Sequence, residues 1–86
     1  MRRLFLFAEK NQIKVFPNPA QDFVRIVNES GIPIDKIKLF NLVGEEMPVE
    51  LKENQSINIS NLTAGAYLLH INCNGYESVF KIIKVY

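Results

Sequence analysis

Tryptophan is absent from this chain, and cysteine and histidine occur once each, as Cys73 and His70. One thiol excludes an intramolecular disulfide and a cysteine-based metal site. It fits an oxidising or a reducing compartment equally well. Lack of tryptophan weakens the case for a sugar-binding platform, which usually uses aromatic faces. No apolar run approaches the roughly 20 residues of a membrane helix. Ten basic and nine acidic side chains leave a net charge of +1. That balance gives no electrostatic reason to expect nucleic acid, or stable contact with an anionic membrane. There is no glycine-rich phosphate loop and no repeated Asp/Asn calcium loop, so no cofactor or metal is expected.

What remains is ordinary globular material. Apolar residues make up 48% and charged residues 22% of the 86, which argues against disorder. That length is enough for one domain with a thin core. The apolar residues do not recur at a helical period. They alternate, in short runs separated by Gly, Pro, Asn and Ser, as in an all-β domain.

Seven strands are predicted: Ile13–Phe16, Asp22–Asn28, Asp35–Leu42, Glu46–Lys52, Ser56–Ser60, Ala66–Cys73 and Tyr76–Val85. Pro17-Asn18-Pro19 ends the first, because proline cannot donate to a ladder. Pro48 interrupts the fourth and marks an edge or a bulge. On the sixth, Tyr67, Leu69, Ile71 and Cys73 share the core face, opposite Leu68, His70 and Asn72. Asn74-Gly75 is a strong hairpin signal, since both residues tolerate positive φ. Spacing of about ten residues per strand reads as an antiparallel, Ig-like β-sandwich; a small closed barrel is the alternative.

Residues 13–86 form the domain, and residues 1–12 read as a leader or the end of an upstream linker. The start, Met1-Arg2-Arg3 followed by Leu4-Phe5-Leu6-Phe7-Ala8, resembles a signal peptide. Its apolar part is shorter than the roughly 7–15 residues of a working core, which favours a tail or a first strand.

No constellation points to catalysis. His70 has no acidic residue two positions away on its strand, and it faces away from the predicted core. That places it at the surface rather than in the role of a general base. Cys73 falls on the core face as a small buried hydrophobe. The two point to opposite faces, which disfavours a Cys–His pair. Asp22 and Asp35 start strands, and Glu45-Glu46 suits a solvated turn. Asn28, Asn54, Asn58 and Asn61 each begin an Asn-x-Ser/Thr triplet, relevant only in a host that glycosylates it.

Three segments, in order, resemble the type A C-terminal sorting domain of type IX (Por) secretion cargo, found in Bacteroidetes. They are Val15-Phe16-Pro17-Asn18-Pro19-Ala20; Ile37-Lys38-Leu39-Phe40-Asn41-Leu42-Val43-Gly44; and Leu62-Thr63-Ala64-Gly65-Ala66-Tyr67-Leu68-Leu69. A closing strand with Lys81 and Lys84 also fits. The family positions are Pro17, Asn18, Pro19, Ala20, Gly44, Leu62, Gly65, Tyr67 and Lys81. The resemblance implies an Ig-like sandwich at the end of a secreted protein, recognised by an outer-membrane translocon and cut off by a sortase-like cysteine protease. It implies passage through the periplasm, then a place at the cell surface or outside the cell. The family's cleavage region would fall around Glu9 to Gln12. No cargo domain precedes the module in this sequence, a departure from the family's layout.

Physical expectations attach to these motifs. Pro17 and Pro19 stiffen a bend that Asn18 holds by bonding backbone nearby. Gly65 allows a backbone conformation closed to other residues, or a close chain approach. Tyr67 buries its ring and hands its hydroxyl to loop backbone, as in a tyrosine corner. The last strand carries apolar groups on both faces. Phe80, Lys81, Ile82, Ile83 and Lys84 are therefore the candidate partner-binding residues: either buried between layers, or docked on a receptor by strand addition. Lys81 and Lys84 also suit protection of an exposed edge.

The expected function is a non-catalytic targeting module. The rival is a structural Ig-like or fibronectin-like spacer or adhesion domain, with carbohydrate as one ligand class.

Overall fold

The computed structural model describes residues 12–86, and it is all-β among them. The reading of residues 1–12 as a leader therefore falls almost wholly outside the described residues. Seven strands follow the alternating sequence: β1 (Ile13–Phe16), β2 (Phe23–Asn28), β3 (Lys36–Asn41), β4 (Glu46–Met47), β5 (Ser56–Asn58), β6 (Gly65–Cys73) and β7 (Tyr76–Lys84). They form two antiparallel sheets, ordered β1-β2-β5 and β4-β3-β6-β7. Two separate ladders make a sandwich, not a closed barrel.

Alternation explains the core. Val24 and Ile26 of β2 and Ile57 of β5, with the neighbouring Ile59, are buried from one sheet. Leu39 of β3, Tyr67, Leu69, Ile71 and Cys73 of β6 and Ile82 of β7 are buried from the other. Side chains at i, i+2 and i+4 share a face, so each strand contributes every second residue. Isoleucine dominates the interior, and its branched side chain suits a pleated surface.

The expected fourth strand is split. Only Glu46 and Met47 pair with β3. The ladder to β3 stops at Met47, Pro48 fixes the backbone after it, and the chain crosses to the other sheet, where Leu51 forms a single bridge to Ile57. A tight turn follows, in which Gln55 N–H donates to the Lys52 carbonyl at 2.9 Å and Lys52 N–H donates to the Ser56 carbonyl at 2.9 Å. Other strand ends differ from expectation by one or two residues.

The Pro17–Asp22 connection is the least expected feature. It leaves the three-stranded sheet after Phe16 and returns to it at Phe23, but in between it lies along the outer edge of β7. The Asn18 carboxamide accepts from Ile83 N–H at 2.8 Å and donates to the Lys81 carbonyl at 2.8 Å. Ala20, fully buried, donates its N–H to the Ile83 carbonyl at 2.8 Å and accepts from Val85 N–H at 2.7 Å. The pairing is a parallel bridge between Ala20 and Lys84, and Gln21 Nε2 donates to the Tyr86 carbonyl. Asn18 thus bonds a strand more than sixty residues away rather than its own neighbours. The connection is a strap that laces one sheet to the other.

Losing the Asn18 carboxamide should cost two hydrogen bonds, each worth about 0.5–1.5 kcal/mol. Asn18→Ala is expected to lower stability by about 1–3 kcal/mol in a urea titration with unchanged slope. Asn18→Asp should cost at least as much, because it turns a carboxylate oxygen toward the Lys81 carbonyl.

Candidate functional site

The motif residues build three local devices. The first is the strap just described, which contains Pro17, Asn18, Pro19 and Ala20. The second is the turn after β3. Asn41 Oδ1 accepts from Val43 N–H at 3.1 Å and Glu45 N–H at 2.9 Å, while its Nδ2 donates to Glu45 Oε1 at 2.7 Å. Gly44 N–H donates to the Asn41 carbonyl at 3.1 Å, and Gly44 has φ of 91°, which other residues rarely adopt. Sequence reading singled out Gly44 and passed over Asn41, although an asparagine three residues before a turn glycine is a recognisable signal for such capping.

The third device is the corner before β6. Tyr67 Oη donates to the Thr63 carbonyl at 2.6 Å and lies 3.2 Å from Thr63 Oγ1. Its ring is buried in the core. This is the loop-backbone partner that a buried tyrosine hydroxyl needs. Leu62 packs against the same core. Gly65 has φ of 152°, and a Cβ there would meet nothing within 4 Å. Backbone conformation, not a close approach, therefore accounts for the glycine.

On β7 the two faces part clearly. Ile82 is buried, Phe80 packs half-buried against the core, and Lys84 is only 6% exposed, with Nζ donating to the Val85 carbonyl at 3.0 Å. The opposite face carries Glu77, Val79, Lys81 and Ile83, of which Ile83 is half-buried and the others exposed. Of the five candidate contact residues, Lys81 and Ile83 present side chains outward, while Ile82 and Lys84 point into the sandwich. Lys84 sits under the strap and does not guard an open edge; Lys81 stands where the strap ends.

His70 lies on the outer face of the four-stranded sheet, as its parity requires. It nevertheless has a carboxylate partner: Nδ1 is 3.0 Å from Glu77 Oε2, across the hairpin. Its ring also meets Phe40 edge-on, with centroids 5.0 Å apart. Reading only along its own strand missed Glu77, which reaches it from β7. Cys73 lies on the other face, buried, so no Cys–His pair forms. Burial pushes the Cys73 thiol above its ordinary pKa, and the Asp35 carboxylate pushes in the same direction. Asp35 itself holds the hairpin turn, its Oδ2 accepting from Asn74 N–H at 2.7 Å. Among the described residues no group of three His, Cys, Asp or Glu side chains is arranged to hold a metal ion.

Three of the four Asn-x-Ser/Thr triplets have a local structural use. Asn28, Asn54 and Asn58 each accept on Oδ1 from the serine hydroxyl two residues on, at 2.6, 2.6 and 2.7 Å. These are Asx-type turns.

A raised pKa leaves little thiolate at neutral pH, and burial blocks access. Cys73 in the folded chain should therefore react with a maleimide at pH 7 at least about tenfold more slowly than in the urea-unfolded chain. The folded rate should rise with pH beyond the range where an ordinary thiol has levelled off. Equal rates at pH 7 would contradict the buried placement.

Residues 14–85 match the family model described as the secretion system C-terminal sorting domain. No curated protein and no solved structure gives a significant match.

Proposed function

Because this chain belongs to the family of secretion-system C-terminal sorting domains, we propose that it is a folded, non-catalytic export signal for type IX secretion, read by an outer-membrane translocon. Membership carries interaction with secretion machinery and export toward the cell surface or extracellular space. The finer reading, that the cargo crosses the periplasm and that a sortase-like protease then removes the domain near Glu9 to Gln12, is part of the proposal.

The observation that carries it is the extent of the family match, residues 14–85, which takes in all three devices. None of them is a reaction centre. Each uses a polar side chain to hold backbone: Asn18 on β7, Asn41 on its turn, Tyr67 on its corner. Such a molecule acts through surface shape. The thiol is buried and protonated, and the lone histidine is tied to Glu77 and Phe40. A surface formed by Lys81, Ile83 and the β7 edge beside them is the proposed receptor-facing part, since these groups of the last strand remain available.

The test is secretion of a periplasmic reporter fused ahead of residues 1–86 in a host carrying the system. Deleting Val79–Tyr86 is the wrong variant, because it removes Ile82 from the core and the partner of the strap. Lys81→Ser with Ile83→Ser alters the outward face only. The wild-type fusion should reach the surface, and the double variant, folded by circular dichroism, should do so at least about tenfold less. An intact, folded wild-type fusion that stays in the periplasm would instead favour the spacer reading.

A further inference from the structure

The outer face of the three-stranded sheet carries an open cleft of about 870 Å³. Phe23 and Arg25 of β2 line it on one side and the Lys52–Asn54 turn on the other, with Ser56 and Asn58 of β5 between them. Phe23 and Arg25 share that face at i and i+2. Directly across the ladder, Asn58 pairs with Phe23 and Ser56 with Arg25. The turn is held by backbone: Gln55 N–H donates to the Lys52 carbonyl at 2.9 Å, and Ile26 N–H of β2 donates to the Gln55 carbonyl at 2.8 Å.

Two of the Asn-x-Ser triplets meet in this cleft. Asn54 Oδ1 accepts from the Ser56 hydroxyl, and Asn58 Oδ1 accepts from both the hydroxyl and the N–H of Ser60. These bonds fix each carboxamide plane and occupy its acceptor end, which leaves the Nδ2 groups as donors. Among the described residues, the side chains of Asp22, Arg25, Lys52 and Glu53 have no hydrogen-bond or ion-pair partner within the protein, although all four line the cleft. Donors and acceptors thus surround a phenyl ring, Phe23, that is 48% exposed. We propose that this cleft binds a neutral oligosaccharide, with one pyranose ring stacked on Phe23 and its hydroxyls held by Asp22, Arg25 and Asn58.

Charge and topology choose the occupant. Two cationic and two anionic groups cancel, so the cleft attracts neither an anion nor a cation. A sugar hydroxyl donates and accepts at once, and a site that offers both kinds of group satisfies it. The electron-rich face of Phe23 takes the C–H side of the pyranose, which supplies the aromatic surface that no tryptophan provides. A peptide strand fits poorly. The cleft lies on a face of the sheet, where side chains stand and ladder groups do not, so strand addition has nothing to pair with there. A polyproline segment needs a groove lined by several aromatic rings, and Phe23 is the one aromatic among the described residues lining this cleft. The cleft is on the sheet that lacks β7, so a bound glycan leaves the proposed receptor-facing surface open.

The test is a titration of the isotope-labelled 86-residue chain with maltotriose, cellotriose or mannotriose up to about 20 mM, followed by amide NMR shifts. At least one triose is expected to move the Phe23, Arg25 and Asn58 amides saturably, with a dissociation constant on the order of 0.1–5 mM. Phe23→Ala should weaken binding at least about tenfold, and Phe23→Tyr, which keeps the ring, should stay within about twofold of the wild type. Arg25→Gln should weaken it at least about fivefold. Val43→Ser, on a turn of the other sheet, should leave it unchanged. Trigalacturonate should bind no more tightly than the best neutral triose. The absence of saturable shifts in the cleft with all three trioses, a folded Phe23→Ala chain that binds as well as the wild type, tighter binding of trigalacturonate, or cleft shifts produced by the peptide Ser-Pro-Ser-Pro-Ser and by no triose would each overturn the proposal.

Discussion

The arrangement of this domain depends on a side-chain amide behaving as a piece of β-strand. Asn18 offers one acceptor and one donor to β7, as a peptide group would, and Ala20 continues the ladder with true backbone. Between them they turn a surface loop into a third rail holding two sheets. Their position matters in a domain of this size. A thin core leaves a small margin of stability, and a chain with one cysteine has no disulfide to add to it. Polar closure at the sandwich edge supplies order that burial alone supplies only weakly. The alanine follows from the same geometry: it is buried under the edge of β7, where a larger side chain would force the strap outward.

The remaining devices repeat the strategy with different groups. Asn41 gathers a turn around one carboxamide, Asp35 caps the Asn74-Gly75 hairpin, and Tyr67 ties the loop before β6 to its own ring. Each leaves the aliphatic interior undisturbed and satisfies backbone groups that a loop would otherwise hand to water. The family motifs are therefore best understood as a description of how the sandwich is held shut. That fits the proposal that the domain is read as a folded shape.

Much of this was legible in the sequence, because much of it is local. The alternation of Tyr67, Leu69, Ile71 and Cys73 is a property of one strand, the Asn-Gly turn of two residues, and the tyrosine corner of five. What escaped is what depends on register between distant strands. Asn18 reaches Lys81 and Ile83, and nothing near Asn18 announces them. His70 meets Glu77 only because β6 and β7 pair with Asn72 opposite Glu77. The Glu46–Lys52 run reads as one strand, yet Pro48 divides it between two sheets. The two apolar faces of β7 were equally open to burial and to contact, and the inward Ile82 and Lys84 show that burial takes one face.

That division of β7 has a consequence for recognition. A strand with one face in the core and half its edge under a strap retains its outward side chains and, among the described residues, a short run of unpaired backbone. On the proposed function, a partner reads shape and register there rather than a charged patch or a deep pocket. Backbone pairing supplies attraction without sequence preference, and the alternating side chains beside it supply the discrimination. Lys81 fits both sides of this balance. It stands at the boundary between strap and open edge, where a lone lysine discourages indiscriminate strand pairing but leaves room for a partner that brings an acidic group to meet it. The edge is thus neither closed nor freely adhesive, and its selectivity follows from where the strap stops.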